Sequence, residues 1–241
     1  MVFVVLVVYN NRIMEKQATQ SERKKIFKDP FSGLTHLIGA VLAIVGTIIL
    51  IVQAAWQNKV WHVVSFSIFG ASMILLYTAS ALYHLIPAKP NAEKVLRNID
   101  HSMIYLLIAG TYTPICLVAL RGWIGWTIFG IVWFLAAAGI GASFIPSFLS
   151  RVPRWVYTGF YLLMGWLSAL AAYPIAQKVG WDFFWWLLAG GAMYSAGAIV
   201  YAAKKPNFTS WLGFHEIFHL FIIAGTAFHF FAILRYISPL F

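Results

Sequence analysis

The chain has 241 residues, of which 61% are hydrophobic and only 10% charged, with a net charge of +10. Soluble domains carry roughly 25% charged residues, so these charges cannot cover a water-facing surface and a soluble globular fold is excluded. One cysteine, Cys116, also excludes an internal disulfide and a cysteine-built metal centre, leaving His, Asp, Glu or Ser to hold any metal.

Taken in order, the chain begins with an apolar run, Met1 to Tyr9, that is too short to span a bilayer and is followed by no small-residue cleavage site. Met14 is therefore an alternative start, with the residues before it expected to be non-native. A basic arm follows, carrying Arg12, Lys16, Arg23, Lys24, Lys25 and Lys28. Residues 1–32 are expected to be a cytoplasmic arm, and residues 33–241 a single seven-helix membrane domain.

A hydrocarbon core about 30 Å thick needs about 20 apolar residues as helix. Seven stretches qualify: Leu34 to Val52, Trp61 to Ile86, Ile99 to Leu120, Ile124 to Ile145, Trp155 to Ile175, Phe183 to Ala203 and Phe214 to Ile237. Short connections with Pro or Gly separate them, among them Pro87, Pro90, Gly122, Pro153, Gly180 and Pro206. Pro114, inside the third stretch, predicts a kink, with Thr111 and Thr113 available to satisfy freed carbonyls.

The basic residues set an orientation. Thirteen of them fall on the side of the N-terminal arm, including Lys89, Lys94, Arg97, Arg151, Arg154, Lys204 and Lys205. Only Lys59, Arg121, Lys178 and Arg235 fall on the other. The positive-inside rule then predicts a cytoplasmic N-terminus and an external C-terminus. The same asymmetry accounts for the +10 charge without nucleic acid. The fold class expected is an all-α integral membrane bundle in the cell membrane.

Orientation gives depth. Ser80 and His84 lie four apart near the cytoplasmic end of the second stretch, hence on one helix face. Asp100, His215 and His219 fall within about two turns of the cytoplasmic starts of the third and seventh, at roughly 1.5 Å per residue. His215 and His219 also share a face, and two imidazoles one turn apart can reach one zinc ion. Ionisable groups inside a membrane span point by default to a function.

Three imidazoles, a carboxylate and a hydroxyl at one depth suit a catalytic zinc site. Three protein ligands leave a fourth position for water, whose pKa the metal can lower towards about 7. Asp100 is suited to orient or deprotonate that water, and Ser80 to hydrogen-bond it or an oxyanion.

Plainer readings stand beside these. A membrane His often only satisfies an interhelical hydrogen bond. Ser80 can back-bond to its own helix, and Asp100 can pair with Arg97. His215-Glu216-Ile217-Phe218-His219 also spells the H-E-x-x-H of metalloproteases, with Glu216 as base. His36 is open between site support and helix packing. His36, His62, His101 and His229 are left out of the ligand set, His229 because it lies about 15 Å beyond His219.

Together, Ser80-x-x-x-His84, Asp100-His101-Ser102, Gly110-Thr111-Tyr112-Thr113-Pro114 and His215-x-x-x-His219 resemble the hemolysin III branch of the PAQR (progestin and adiponectin receptor) family. That group is related to alkaline ceramidases. The resemblance runs from about Asp29 to the C-terminus. It implies seven helices and an intramembrane zinc held by His84, His215 and His219, with Asp100 and Ser80 at the zinc-bound water. It further implies hydrolysis of lipid amides, with a membrane lipid as substrate, or a cytolytic activity, and a link to membrane homeostasis. Family members with Gln at the position of Glu216 weaken the protease reading. Three functions thus remain open: a zinc-dependent lipid amide or ester hydrolase, a cytolysin or zinc-stapled sensor, and an intramembrane protease.

Overall fold

The computed structural model of the protein describes residues 27–145, 151–209 and 211–240. The Met1 to Tyr9 run, the Met14 start and the basic residues up to Lys25 lie outside the described residues. Seven helices are long and apolar enough to cross a membrane: α1 Pro30–Trp56, α2 Val60–Leu85, α3 Pro90–Ala119, α4 Trp123–Ser143, α5 Arg154–Val179, α6 Trp181–Ala203 and α7 Phe214–Ile237. Among the described residues the regular structure is all helical. The protein is a multi-pass membrane protein of the expected fold class.

α1, α3, α5 and α6 are longer than their apolar runs, whereas α2 and α7 match theirs and α4 is slightly shorter. Hydropathy ends at the last greasy residue, whereas a helix continues while its backbone bonds continue. Pro30 and Pro90 open α1 and α3 at positions where a missing N–H costs nothing.

α1 is sorted by size as much as by polarity. Ser32, Gly33, His36, Gly39, Ala40, Ala43, Gly46 and Thr47 face the bundle, while Leu37, Ile38, Val41, Leu42 and Val45 are exposed to lipid. With hydrocarbon outside there is no hydrophobic gain in burying Leu, so small residues that permit close approach take the interface. At Gly33 an added Cβ would sit 2.5 Å from the Leu85 side chain, so glycine lets α1 meet the end of α2. Leu50, Phe66, Phe69, Met73, Ile115 and Phe183 fill the far half of the bundle.

Two spans are interrupted. After Pro114, α3 continues as a π-helix over Ile115–Ala119. Proline removes the bond to the Gly110 carbonyl, and wider i→i+5 turns take up the mismatch. The threonines do not supply the substitute expected from sequence, because Thr111 Oγ1 donates to Leu107 O (2.8 Å) and Thr113 Oγ1 to Ala109 O (2.9 Å). α5 is broken by a 3-10 segment at Leu167–Ala171. There the Tyr112 hydroxyl lies 2.9 Å from Met164 O and 2.6 Å from Gly165 O, and accepts from Ser168 N–H at 2.7 Å. One side chain of α3 thereby holds the break in α5.

The chain entering α1 is tied to the end of α2. Asp29 N–H donates to His84 O (2.8 Å) and Lys28 N–H to Leu85 O (3.4 Å), meeting carbonyls that a helix C-terminus leaves without partners. Lys28 Nζ also pairs with Glu93 (2.7 Å) at the start of α3 and lies over the Tyr83 ring. These ties, with the Ser32–Glu216 bond to α7, gather the first turns of α1, α3 and α7 and the last turn of α2 at one end of the molecule.

Candidate metal centre

At that end the ligand nitrogens of His84, His215 and His219 all lie within 4.8 Å of one another. His84 and His219 are buried and His215 is half-buried. Of the described His, Cys, Asp and Glu residues, these three form the group suited to a metal ion. The rings meet at centroid distances of 4.8 Å (His84–His215), 4.9 Å (His84–His219) and 4.6 Å (His215–His219).

Two of the three rings are held from behind. His84 Nδ1 lies 3.1 Å from Asp29 Oδ2, and His219 Nδ1 lies 3.3 Å from Ser32 O. Both partners only accept, so both rings carry the proton on Nδ1 and turn the Nε2 lone pair inward. Carboxylate and carbonyl partners of this kind orient metal-binding histidines and raise their basicity. His215 Nε2 is 3.1 Å from His84 Nε2. That spacing suits one proton shared between the rings, and it is close to the ~3.3 Å between two nitrogens on a tetrahedral zinc. The donor set fits zinc.

Asp29 occupies the N-cap position of α1, where an Asp side chain ordinarily binds the first N–H groups. Here it makes no such bond and turns to His84 instead. Burial alone would raise the Asp29 carboxyl, but chiefly hydrogen bonding to His84 outweighs it and holds the pKa below the ordinary value.

Glu216 is occupied by structure. Its Oε2 accepts from Gly213 N–H (2.8 Å), capping α7, and its Oε1 accepts from Ser32 Oγ–H (2.9 Å). Both oxygens of the H-E-x-x-H carboxylate thus join α7 to α1.

Asp100 and Ser80 are buried and, with His215 and His36, line one end of a cavity of about 150 Å³. Ser80 Oγ makes no hydrogen bond among the described residues, so it does not back-bond to its helix. Asp100 Oδ2 lies 3.5 Å from His101 Nδ1. His101 stays outside the histidine group, with Nδ1 3.0 Å from Arg97 O and Nε2 3.3 Å from the Tyr201 hydroxyl. His36 stacks on His219 at 3.7 Å and 12°, and neither ring nitrogen has a hydrogen-bond partner among the described residues. His62 is far away, against Ile237 O.

Sequence reasoning missed Asp29 and Ser32 as supports. A signal existed: Asp29, Ser32 and His36 fall at i, i+3 and i+7, one polar stripe at the start of an apolar helix.

Comparisons with known proteins identify the family of the chain. Residues 24–230 match the family model described as haemolysin-III related. The chain is 44% identical over 208 residues to Hemolysin-3 of Bacillus cereus, covering 86% of this chain and 91% of that protein. It is 43% identical over 205 residues to the Hemolysin-3 homolog of Bacillus subtilis (strain 168), covering 85% and 92%. A more distant relative, the human monocyte to macrophage differentiation factor, is 26% identical over 232 residues, covering 94% and 92%. With its seven spans and the match over nearly all of them, the chain belongs to the haemolysin-III related family.

Proposed function

We propose that the protein is a zinc-dependent membrane hydrolase that cleaves a lipid amide or ester, with its site at the cytoplasmic end of the bundle. The observation that carries this reading is a three-histidine group adjoining a cavity whose wall holds Asp100 and the unbonded Ser80. The rest of that wall is largely apolar, including Leu76, Ile104, Leu107, Ile115, Leu187 and Ile222, which suits a hydrocarbon chain.

His84, His215 and His219 would hold the ion, which when bound supplies Lewis acidity and lowers the pKa of water. The residues of the chain do the rest. Asp29 and Ser32 keep two of the rings in the tautomer that exposes Nε2. Asp100 takes a proton from the attacking water at a carboxylate oxygen and returns it to the leaving nitrogen or oxygen as the acyl bond breaks. Ser80 Oγ–H donates to the carbonyl oxygen as negative charge develops there. Apolar walls keep other water out.

The name of the Bacillus cereus relative favours a second reading, a cytolytic protein. Against a pore, Asp29, His84, Asp100, His215 and His219 gather at one end of the bundle, and several hydroxyls elsewhere bond back to their own helices. Zinc-loaded protein incubated with total membrane lipid tests both. Chelator-sensitive release of fatty acid supports the hydrolase. Chelator-insensitive leakage of dye-loaded vesicles with no lipid cleaved supports the cytolysin.

A further inference from the structure

The cavity does not end at the histidine group. It runs between α3, α5, α6 and α7 to Phe184, Leu187, Tyr194 and His229. His229 lies ten residues beyond His219 on α7, about 15 Å further along the helix. There the wall becomes polar again, in a segment where hydrocarbon would be the economical lining.

The protons of this second cluster can be assigned from its partners. Thr226 Oγ1 donates to Ile222 O at 2.9 Å, spending its only hydrogen. Tyr194 O–H, 2.9 Å from Thr226 Oγ1, must then be the donor of that pair. His229 Nδ1 lies 2.8 Å from Gly225 O, which only accepts, so Nδ1 carries the proton and Nε2 a lone pair. Every hydrogen is committed to the protein. What remains is acceptor capacity on His229 Nε2 and Tyr194 Oη, from two rings that stack at 5.3 Å and 15° and line the cavity.

The helices are shaped around these rings. A Cβ on Gly190 would lie 2.4 Å from His229 Nδ1, and one on Gly225 would lie 2.5 Å from the Tyr194 ring. His229 is buried, and an acceptor left unpaired in a membrane interior is destabilising. The occupant must therefore bring a hydrogen-bond donor while otherwise suiting apolar walls.

We propose that Tyr194 and His229 form a second binding site that accepts a hydrogen bond from a hydroxyl on the hydrocarbon chain of a lipid in the cavity. The fixed separation from the histidine group makes the site a gauge of hydroxyl position along the chain. The proposal deepens the hydrolase reading and rests on it only for placing the polar head at the histidine end.

The test uses the full chain in detergent, with octadecanoic acid and a series of octadecanoic acids each bearing one hydroxyl at a different position. Binding is measured by displacement of a fluorescent fatty acid. A mid-chain hydroxyl is expected to tighten binding about three- to tenfold over the unsubstituted acid. Tyr194→Phe and His229→Phe are each expected to abolish that preference and still bind octadecanoic acid. If His229→Phe binds no fatty acid at all, Tyr194→Phe decides.

Equal affinity across the series in wild type, as ordered water on the two acceptors would give, overturns the proposal. So does a preference that survives in Tyr194→Phe. Cleavage of the corresponding N-acyl amides is scored separately. A binding preference without cleavage upholds this site and removes the hydrolase, whereas cleavage without a preference removes this site alone.

Discussion

Asp29 Oδ2 lies 3.1 Å from Nδ1 of His84, joining the residue before the first span to the last turn of the second. The carboxylate stands where a helix cap is expected and does not cap. A residue that gives up a local role for a distant one marks where function overrides local preference. Replacing it with Asn keeps the size and removes the charge that supports His84. Zinc affinity, measured by competition with a chelator, is expected to fall about 10- to 100-fold. Unchanged affinity would mean that Asp29 serves only the fold.

The same variant has a pH signature. Chiefly hydrogen bonding to His84 outweighs burial and holds the Asp29 pKa below its ordinary 3.8. A depressed carboxyl stabilises the folded state fully above that ordinary value, and the contribution is lost as pH falls through the lowered one. Wild type is expected to melt above Asp29→Asn near neutral pH. The two melting curves should converge below pH 3.8.

Glu216 separates the hydrolase from a protease. Its oxygens bond Gly213 N–H and Ser32 Oγ–H, so Glu216→Ala is expected to cost about 1–2 kcal/mol of stability. Glu216→Gln should retain both zinc and lipid cleavage. Loss of all cleavage in Glu216→Gln with zinc still bound would restore the protease reading.

Asp100 lies outside the histidine group yet on the cavity wall. Asp100→Asn should lower kcat for lipid cleavage by about 100-fold or more, as loss of a general base does. Zinc content should stay the same. A variant that loses its metal would instead make Asp100 a ligand.

Tyr112 holds the break in α5 through Met164 O, Gly165 O and Ser168 N–H. Tyr112→Phe removes the hydroxyl and leaves those groups buried without it. A loss of about 1–3 kcal/mol is expected, read as a lower melting temperature in detergent. An unchanged melting temperature would show that the 3-10 turn closes by itself.

What the sequence reveals and what it hides divide along a physical line. Span number and the shared depth of Ser80, His84, Asp100, His215 and His219 follow from hydropathy and spacing, which are local properties. The supports are not local. Asp29 meets His84 across 55 positions, and Ser32 meets Glu216 across 184. Nothing near either residue says whether its side chain will cap its own helix or cross to another. Pro174, whose missing N–H leaves the Leu170 carbonyl without its usual helical partner, announces the 3-10 break in α5, but the Tyr112 that holds it comes from α3. The Thr–Pro pattern in α3 suggested local repair, but a proline in a crowded bundle can also be absorbed by a wider helical turn. Glu216 carried the strongest motif match and has a structural role.

The central claim is that the three histidines hold a metal. Purified protein grown with zinc should contain close to one zinc per chain by elemental mass spectrometry, and His84→Ala and His219→Ala should each contain almost none while retaining helical content. Zinc at the wild-type level in both variants, or none in wild type, would contradict the account.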